Sequence, residues 1–122
     1  DGFVSGATLH NFEQSYREEV LERIYYGLRS GGIFLNADKY AHNDPQVHNI
    51  QLRLQIKKIQ DVYRVLGRRD LEEEWVKHYE KDNKPEFLMK ESEAIQTMQR
   101  IGFKKTQMIK RIGMDALMVG YK

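Results

Sequence analysis

The chain has 122 residues, 20 basic and 18 acidic side chains, a net charge of +2 and no cysteine. The missing cysteine excludes a disulfide framework and thiol chemistry, the interspersed charges leave no broad field for nucleic acid or an anionic membrane, and the short apolar runs leave no transmembrane span. One soluble, cytoplasmic domain is the expectation, because a chain of this length buries roughly two-thirds of its unfolded surface.

Residues 3–9, "FVSGATL", read as an opening strand. The chain starts on Asp1 and enters this strand at once, so residues before Asp1 are expected to have been removed. Ser15 and Glu18 make an S-x-x-E capping box that starts a helix, with Tyr16, Val20, Leu21, Ile24 and Leu28 at helical spacing. Gly31 and Gly32 in "GLRSGGIFLNADKY" read as its C-cap and a tight turn into a strand that begins Ile33, Phe34, Leu35. They do not read as a phosphate cradle, which needs its glycines before a helix rather than at the negative end of one. Strand, helix and strand make a βαβ unit with parallel strands, and the lack of polar alternation predicts burial on both faces.

Asp44 and Pro45 are an N-cap with proline at the first helical position. Leu52, Ile56, Ile59, Tyr63 and Leu66 then predict a long amphipathic helix up to Gly67. Asp70 and Glu73 cap a further helix with Leu71, Trp75 and Tyr79 on one stripe, ended by "DNKP". A fourth helix carries Ile95, Met98 and Ile101 inward and stops at Gly102. The ending "FKKTQMIKRIGMDALMVGYK" predicts two strands joined around Ile112 to Asp115.

The stretches "DGFVSGATLHNF", "VLERIYYGLRSGGIFLNADKY" and "RIGFKKTQMIKRIGMDALMVGYK" resemble, in this order and spacing, the C-terminal half of a class I S-adenosylmethionine-dependent methyltransferase. They look like that family's fourth strand with its "tLHhf" ending, its helix with "L-x-x-G-G" before the fifth strand, and its closing helix and antiparallel hairpin. The resemblance implies an α/β fold, a partial Rossmann-like methyltransferase sheet of about four strands in the order 1-2-4-3, the last one antiparallel. Residues 1–122 would form the C-terminal part of the domain, with 44–87 a lid-like helical insertion. It also implies S-adenosylmethionine as cofactor, with Gly6, Ala7 and Thr8 beside its methionine portion. The family's glycine-rich loop and its ribose-binding acid do not occur in this chain, so the isolated chain is expected to be inactive. The second histidine of the family's "LHH" is Asn11 here.

Parallel sheets bind ligands beyond the carboxyl ends of their strands, which puts Thr8 to Phe12 and Asn36 to His42 at one mouth. His10 and Asp38 are the catalytic candidates, His10 as acceptor of a proton from the methylated nucleophile. Asn36 and Tyr40 are the substrate-binding candidates, for a small-molecule substrate. The plain alternatives are a histidine hydrogen-bonded at a strand end and an Asp38–Lys39 salt bridge. His42, Asp44 and His48 have ligand-capable side chains, but Asp44 is needed as a cap, so no metal is assigned. Arg53, Lys57, Lys58, Arg64, Arg68 and Arg69 are interrupted by Asp61 and "DLEEE" and read as a solvated face, not a nucleic-acid surface. The competing class is a non-catalytic helical interaction module. A bare edge from Phe3 to Leu9, with no lysine or proline guard, predicts self-association as a dimer.

Overall fold

The computed structural model describes residues 1–122. Along the chain run β1 (Gly2–Gly6), a 3-10 turn (Leu9–Asn11), α1 (Gln14–Gly27), β2 (Ile33–Lys39), α2 (Pro45–Val65), α3 (Arg69–Asp82), α4 (Glu91–Ile101), β3 (Lys104–Ile112) and β4 (Asp115–Tyr121). The four strands form one sheet in the order β1-β2-β4-β3. β1 is parallel to β2, and β4 runs antiparallel to both β2 and β3. This is the expected 1-2-4-3 order with an antiparallel last strand.

Alternation along β2 decides which face becomes core. Phe34, Asn36 and Asp38 are buried, while Ile33, Leu35 and Lys39 are half-buried and Ala37 is exposed. Phe34 joins Met118 and Ala116 of β4, Leu21 of α1, Met98 of α4 and Phe103 in the main apolar cluster. The expectation that both βαβ strands are buried on both faces is corrected. In β1 only Ser5 is even half-buried, and Val4 is 79% exposed. Apolar sequence alone does not bury a strand that has a neighbour on one side only.

Two helix starts also differ from expectation. The Ser15–Glu18 capping box does not form. Glu13 is the N-cap without a side-chain bond, Ser15 lies inside α1, and the Gln14 amide donates to the Glu86 carbonyl at 3.0 Å. A distant backbone carbonyl has taken over the role of a local cap. Asp70 likewise sits inside the first turn of α3, where its carboxylate accepts from the Arg68 guanidinium at 2.6 and 2.9 Å. Gly31 and Gly32 lie beyond the end of α1, which stops at Gly27. Gly31 takes φ +78° in the turn, and its amide donates to the Lys122 carbonyl at 2.9 Å, anchoring the chain's last residue.

The other caps follow the sequence. Asp44 Oδ1 accepts from the Gln46 and Val47 amides at 2.7 and 3.3 Å, with Pro45 in the first turn. α4 ends at Gly102, whose φ of +123° lets the Phe103 amide reach back to the Met98 carbonyl at 3.0 Å.

α2 and α3 pack against each other as a helical hairpin. Its entry and exit are joined, since the Ala41 amide donates to the Met89 carbonyl at 2.8 Å and the Glu91 amide to the Ala41 carbonyl at 3.1 Å. Buried Arg17 of α1 adds a tie: its guanidinium donates to the carbonyls of Leu9 (3.1 Å), Phe12 (2.8 Å) and Phe87 (2.7 Å). The strand-end turn, α1 and the exit of the hairpin are thereby fixed to one another.

Candidate active site at the strand ends

β1 and β2 end side by side, in register from Gly2↔Ile33 to Gly6↔Ala37. Just beyond them, Asp38 directs a buried carboxylate at the 3-10 turn. Its Oδ2 accepts from the Leu9 amide at 2.8 Å and its Oδ1 from His10 Nδ1 at 2.5 Å. The His10 amide (3.4 Å), the Lys39 amide (2.8 Å) and the Asn36 side-chain amide (3.4 Å) complete the shell. Burial pushes this carboxyl up, but the bond to His10, its charge and the Lys39 and Leu9 amides outweigh that, and the carboxyl lies below the ordinary aspartate value. Ionised Asp38 therefore accepts and His10 Nδ1 donates, an arrangement that in the neutral form of the ring puts the lone pair on Nε2.

That lone pair faces α3. His10 Nε2 lies 3.8 Å from Asp82 Oδ2, which His78 Nε2 approaches to 3.4 Å. Lys39 Nζ binds the same Asp82 oxygen and sits 4.1 Å from the centre of the Tyr79 ring. Burial pushes His78 below the ordinary histidine value, and it pushes the Tyr79 hydroxyl up. A cavity of about 570 Å³ opens here, lined by Ala7, Ala37 and Ala116 as a floor of small side chains and by His10, Trp75 and Tyr79 among its walls.

Not all the sequence candidates reach this cavity. His10, Asp38 and Ala7 do. Gly6 and Thr8 are exposed at the adjoining turn, where Thr8 Oγ1 donates to the Gly6 carbonyl at 2.8 Å. Ala7 adopts φ +48°, a left-handed conformation unusual for alanine, and its amide donates to the Ala37 carbonyl at 2.9 Å. Asn36 and Tyr40 share the inner face of β2 with Asp38 but lie inside the protein, with the Asn36 amide donating to the Tyr40 hydroxyl at 2.7 Å. Burial pushes that hydroxyl up from its ordinary value. They support Asp38 from beneath and do not line the cavity.

His42, Asp44 and His48 are occupied separately, with the Gly113 carbonyl (3.0 Å), the α2 cap and the Asn83 side chain (2.7 Å). Sequence reading missed the α3 wall. Its signal was present as Trp75, His78, Tyr79 and Asp82, spaced i, i+3, i+4, i+7 on one helix face, a stripe read as apolar from Trp75 and Tyr79 alone.

The strand order and the antiparallel closing hairpin match a methyltransferase-like Rossmann fold. Carboxy-S-adenosyl-L-methionine synthase of Photobacterium profundum is 39% identical over 51 residues, which are 42% of this chain and 21% of that relative. The solved structure of PigF with SAH matches along 100% of this chain and 30% of its own, with a TM-score of 0.65 and 18% identity, a likeness of fold. The chain thus spans less than a third of either protein. No family model matches it.

Asp38→Ala leaves the Leu9 amide and His10 without their buried acceptor. It should destabilise the protein by about 3 kcal/mol or more, whereas Thr8→Ala at the exposed turn should stay within about 0.5 kcal/mol. Urea denaturation of both variants checks this, and equal effects would contradict the assigned role of Asp38.

Proposed function

We propose that this chain is the C-terminal portion of an S-adenosylmethionine-dependent methyltransferase acting on a small molecule, with His10 as general base and the α2–α3 hairpin as lid. The observation that carries the reading is the His10–Asp38 pair, held at 2.5 Å, with His10 itself on the lining of the cavity. When bound, S-adenosylmethionine supplies an electrophilic methyl group on a sulfonium.

The residues present suit part of that cofactor. Gly6, Ala7 and Thr8 form a turn of small side chains beside the cavity, with Ala7 on its lining, and a Cβ on Gly6 would meet nothing nearer than the Ala37 carbonyl at 3.8 Å. This leaves room for the methionine portion. The glycine-rich loop and ribose-binding acid must come from elsewhere in the protein.

Transfer then needs a nucleophile held in line and relieved of its proton. His10 Nε2 accepts that proton from an O–H or N–H of the acceptor, and Asp38 stabilises the resulting imidazolium through Nδ1. Asn36 and Tyr40, assigned to substrate from sequence, here act as positioning residues that fix Asp38. Trp75 and Tyr79 supply flat walls, and the hairpin excludes water from the charged groups. A non-catalytic interaction module remains the second reading, favoured by the exposed α2 row of Val47, Ile50 and Leu54. No helix is long and apolar enough to cross a membrane.

In a protein that joins this chain to its cofactor-binding half, His10→Ala should lower kcat by about 100- to 10,000-fold, well beyond the fall in Tm that follows from leaving the buried Asp38 carboxylate one donor short. Unchanged turnover would overturn the base assignment. The 122-residue chain alone should show no S-adenosylmethionine binding with a Kd at or below about 1 μM, worth roughly 8 kcal/mol, in calorimetric titration. Binding that tight would mean the missing loop is not required.

We also infer that the isolated chain self-associates, because β1 pairs on one side only and exposes Phe3 and Val4 along an unguarded edge. Light scattering over a dilution series should show dimers or larger species, and a soluble folded monomer at about 100 μM would refute this.

A further inference from the structure

We propose that His10, His78 and Asp82 form a binding site for one divalent first-row transition-metal ion, of which Zn2+ is the probe, at the wall of the strand-end cavity. One ligand atom from each residue lies within 4.8 Å of the others, with His78 Nε2 to Asp82 Oδ2 at 3.4 Å and His10 Nε2 to the same oxygen at 3.8 Å. Ligands held tetrahedrally at zinc–nitrogen and zinc–oxygen distances of about 2.1 Å stand about 3.4 Å apart, so two of the three edges need little or no adjustment. Two imidazoles and one carboxylate are a donor set for such ions rather than for Mg2+ or Ca2+, which take mostly oxygen.

Two further observations point the same way. His10 donates its other ring nitrogen to Asp38, the carboxylate–histidine arrangement that orients a metal-bound imidazole and raises its basicity. Asp82 is only 7% exposed, yet its Oδ1 has no hydrogen-bond partner, so a buried carboxylate here keeps an unused oxygen. The cavity provides an entry path and leaves the remaining coordination position open to water or a ligand. Lys39 is the built-in competitor, since its ammonium now neutralises Asp82 Oδ2 and must give way to the ion.

Metal and proton compete for the same Nε2 lone pair. An occupied site therefore silences His10 as a base; this consequence rests on the methyl-transfer reading, whereas the binding does not.

Zn2+ titrated into the full chain, followed by calorimetry and by competition with a chromophoric chelator, tests the site. One equivalent should bind with a micromolar or tighter Kd, and Co2+ should give a visible absorption band shifted by changes to these residues. His78→Ala and Asp82→Asn should each weaken binding at least 10-fold, on the order of the effect of losing an orienting partner, and Asp38→Asn should weaken it by about 10- to 100-fold through His10. Lys39→Met should tighten it. Should Asp82→Asn fail to fold, His78→Ala at its partly exposed position decides alone. No binding tighter than about 1 mM, worth roughly 4 kcal/mol, or binding indifferent to His78→Ala and Lys39→Met, overturns the proposal.

Discussion

The carboxylate of Asp38 is the constraint around which the strand-end region is built. An ionised group in that position is costly unless its lone pairs are filled, and the donors that fill them come from two different elements. The Leu9 and His10 amides belong to the 3-10 turn after β1, the Lys39 amide to the end of β2, and the Asn36 amide to the inner face of the same strand. One side chain thus joins the exits of two parallel strands. It also turns the His10 ring so that Nδ1 is held by Asp38 and Nε2 lies toward Asp82. Removing Asp38 would free the ring and release the turn together, which is why stability and site geometry are coupled here.

β2 carries this design in its alternation. Phe34, Asn36 and Asp38 point to one face, and along that face the environment passes from apolar cluster to buried amide to charged mouth. The hairpin is attached to the mouth in a different way. Lys39 of β2 pairs with Asp82 of α3, His48 with Asn83 ties the two helices of the hairpin together, and Arg17 of α1 holds the Phe87 carbonyl just after it. Such contacts are directional and weaken when water enters, whereas the apolar contacts of the sheet with α1 and α4 do not depend on orientation.

The order of elements was legible in the sequence because helical spacing, the Asp44–Pro45 start and the Gly102 stop are local signals. The strand order came from resemblance rather than from periodicity. What was not legible were roles taken over at long range. The carbonyl of Glu86 caps α1, so Ser15 had no cap to make, and no property of residues 15–18 could announce that. Asn36 and Tyr40 were placed at the mouth because they lie at the carboxyl end of the strand, but their side chains turn inside the protein. The open end of that face is set by where α3 and the 3-10 turn pack, which the strand does not encode. His78 and Asp82 escaped for a related reason: their helix face was readable, but the element opposite it was not.

The charges at the mouth explain why such a site would take a positive guest. Asp38 and Asp82 bring two negative charges and Lys39 one positive, and Lys110 and Asp115 on the cavity wall offset each other. Arg17 lies behind the turn, where its donors are committed to three carbonyls. If both histidines are taken as neutral, Asp38, Asp82 and Lys39 together leave one uncompensated negative charge, with Asp82 behind the cavity lining rather than on it. A proton arriving on His10, a sulfonium beside the strand ends and a metal ion between His10 and His78 each answer that same deficit, and they answer it within a few ångströms of one another. Proximity in a low-dielectric cavity makes these guests sense each other strongly, so occupancy by one changes the affinity for the next.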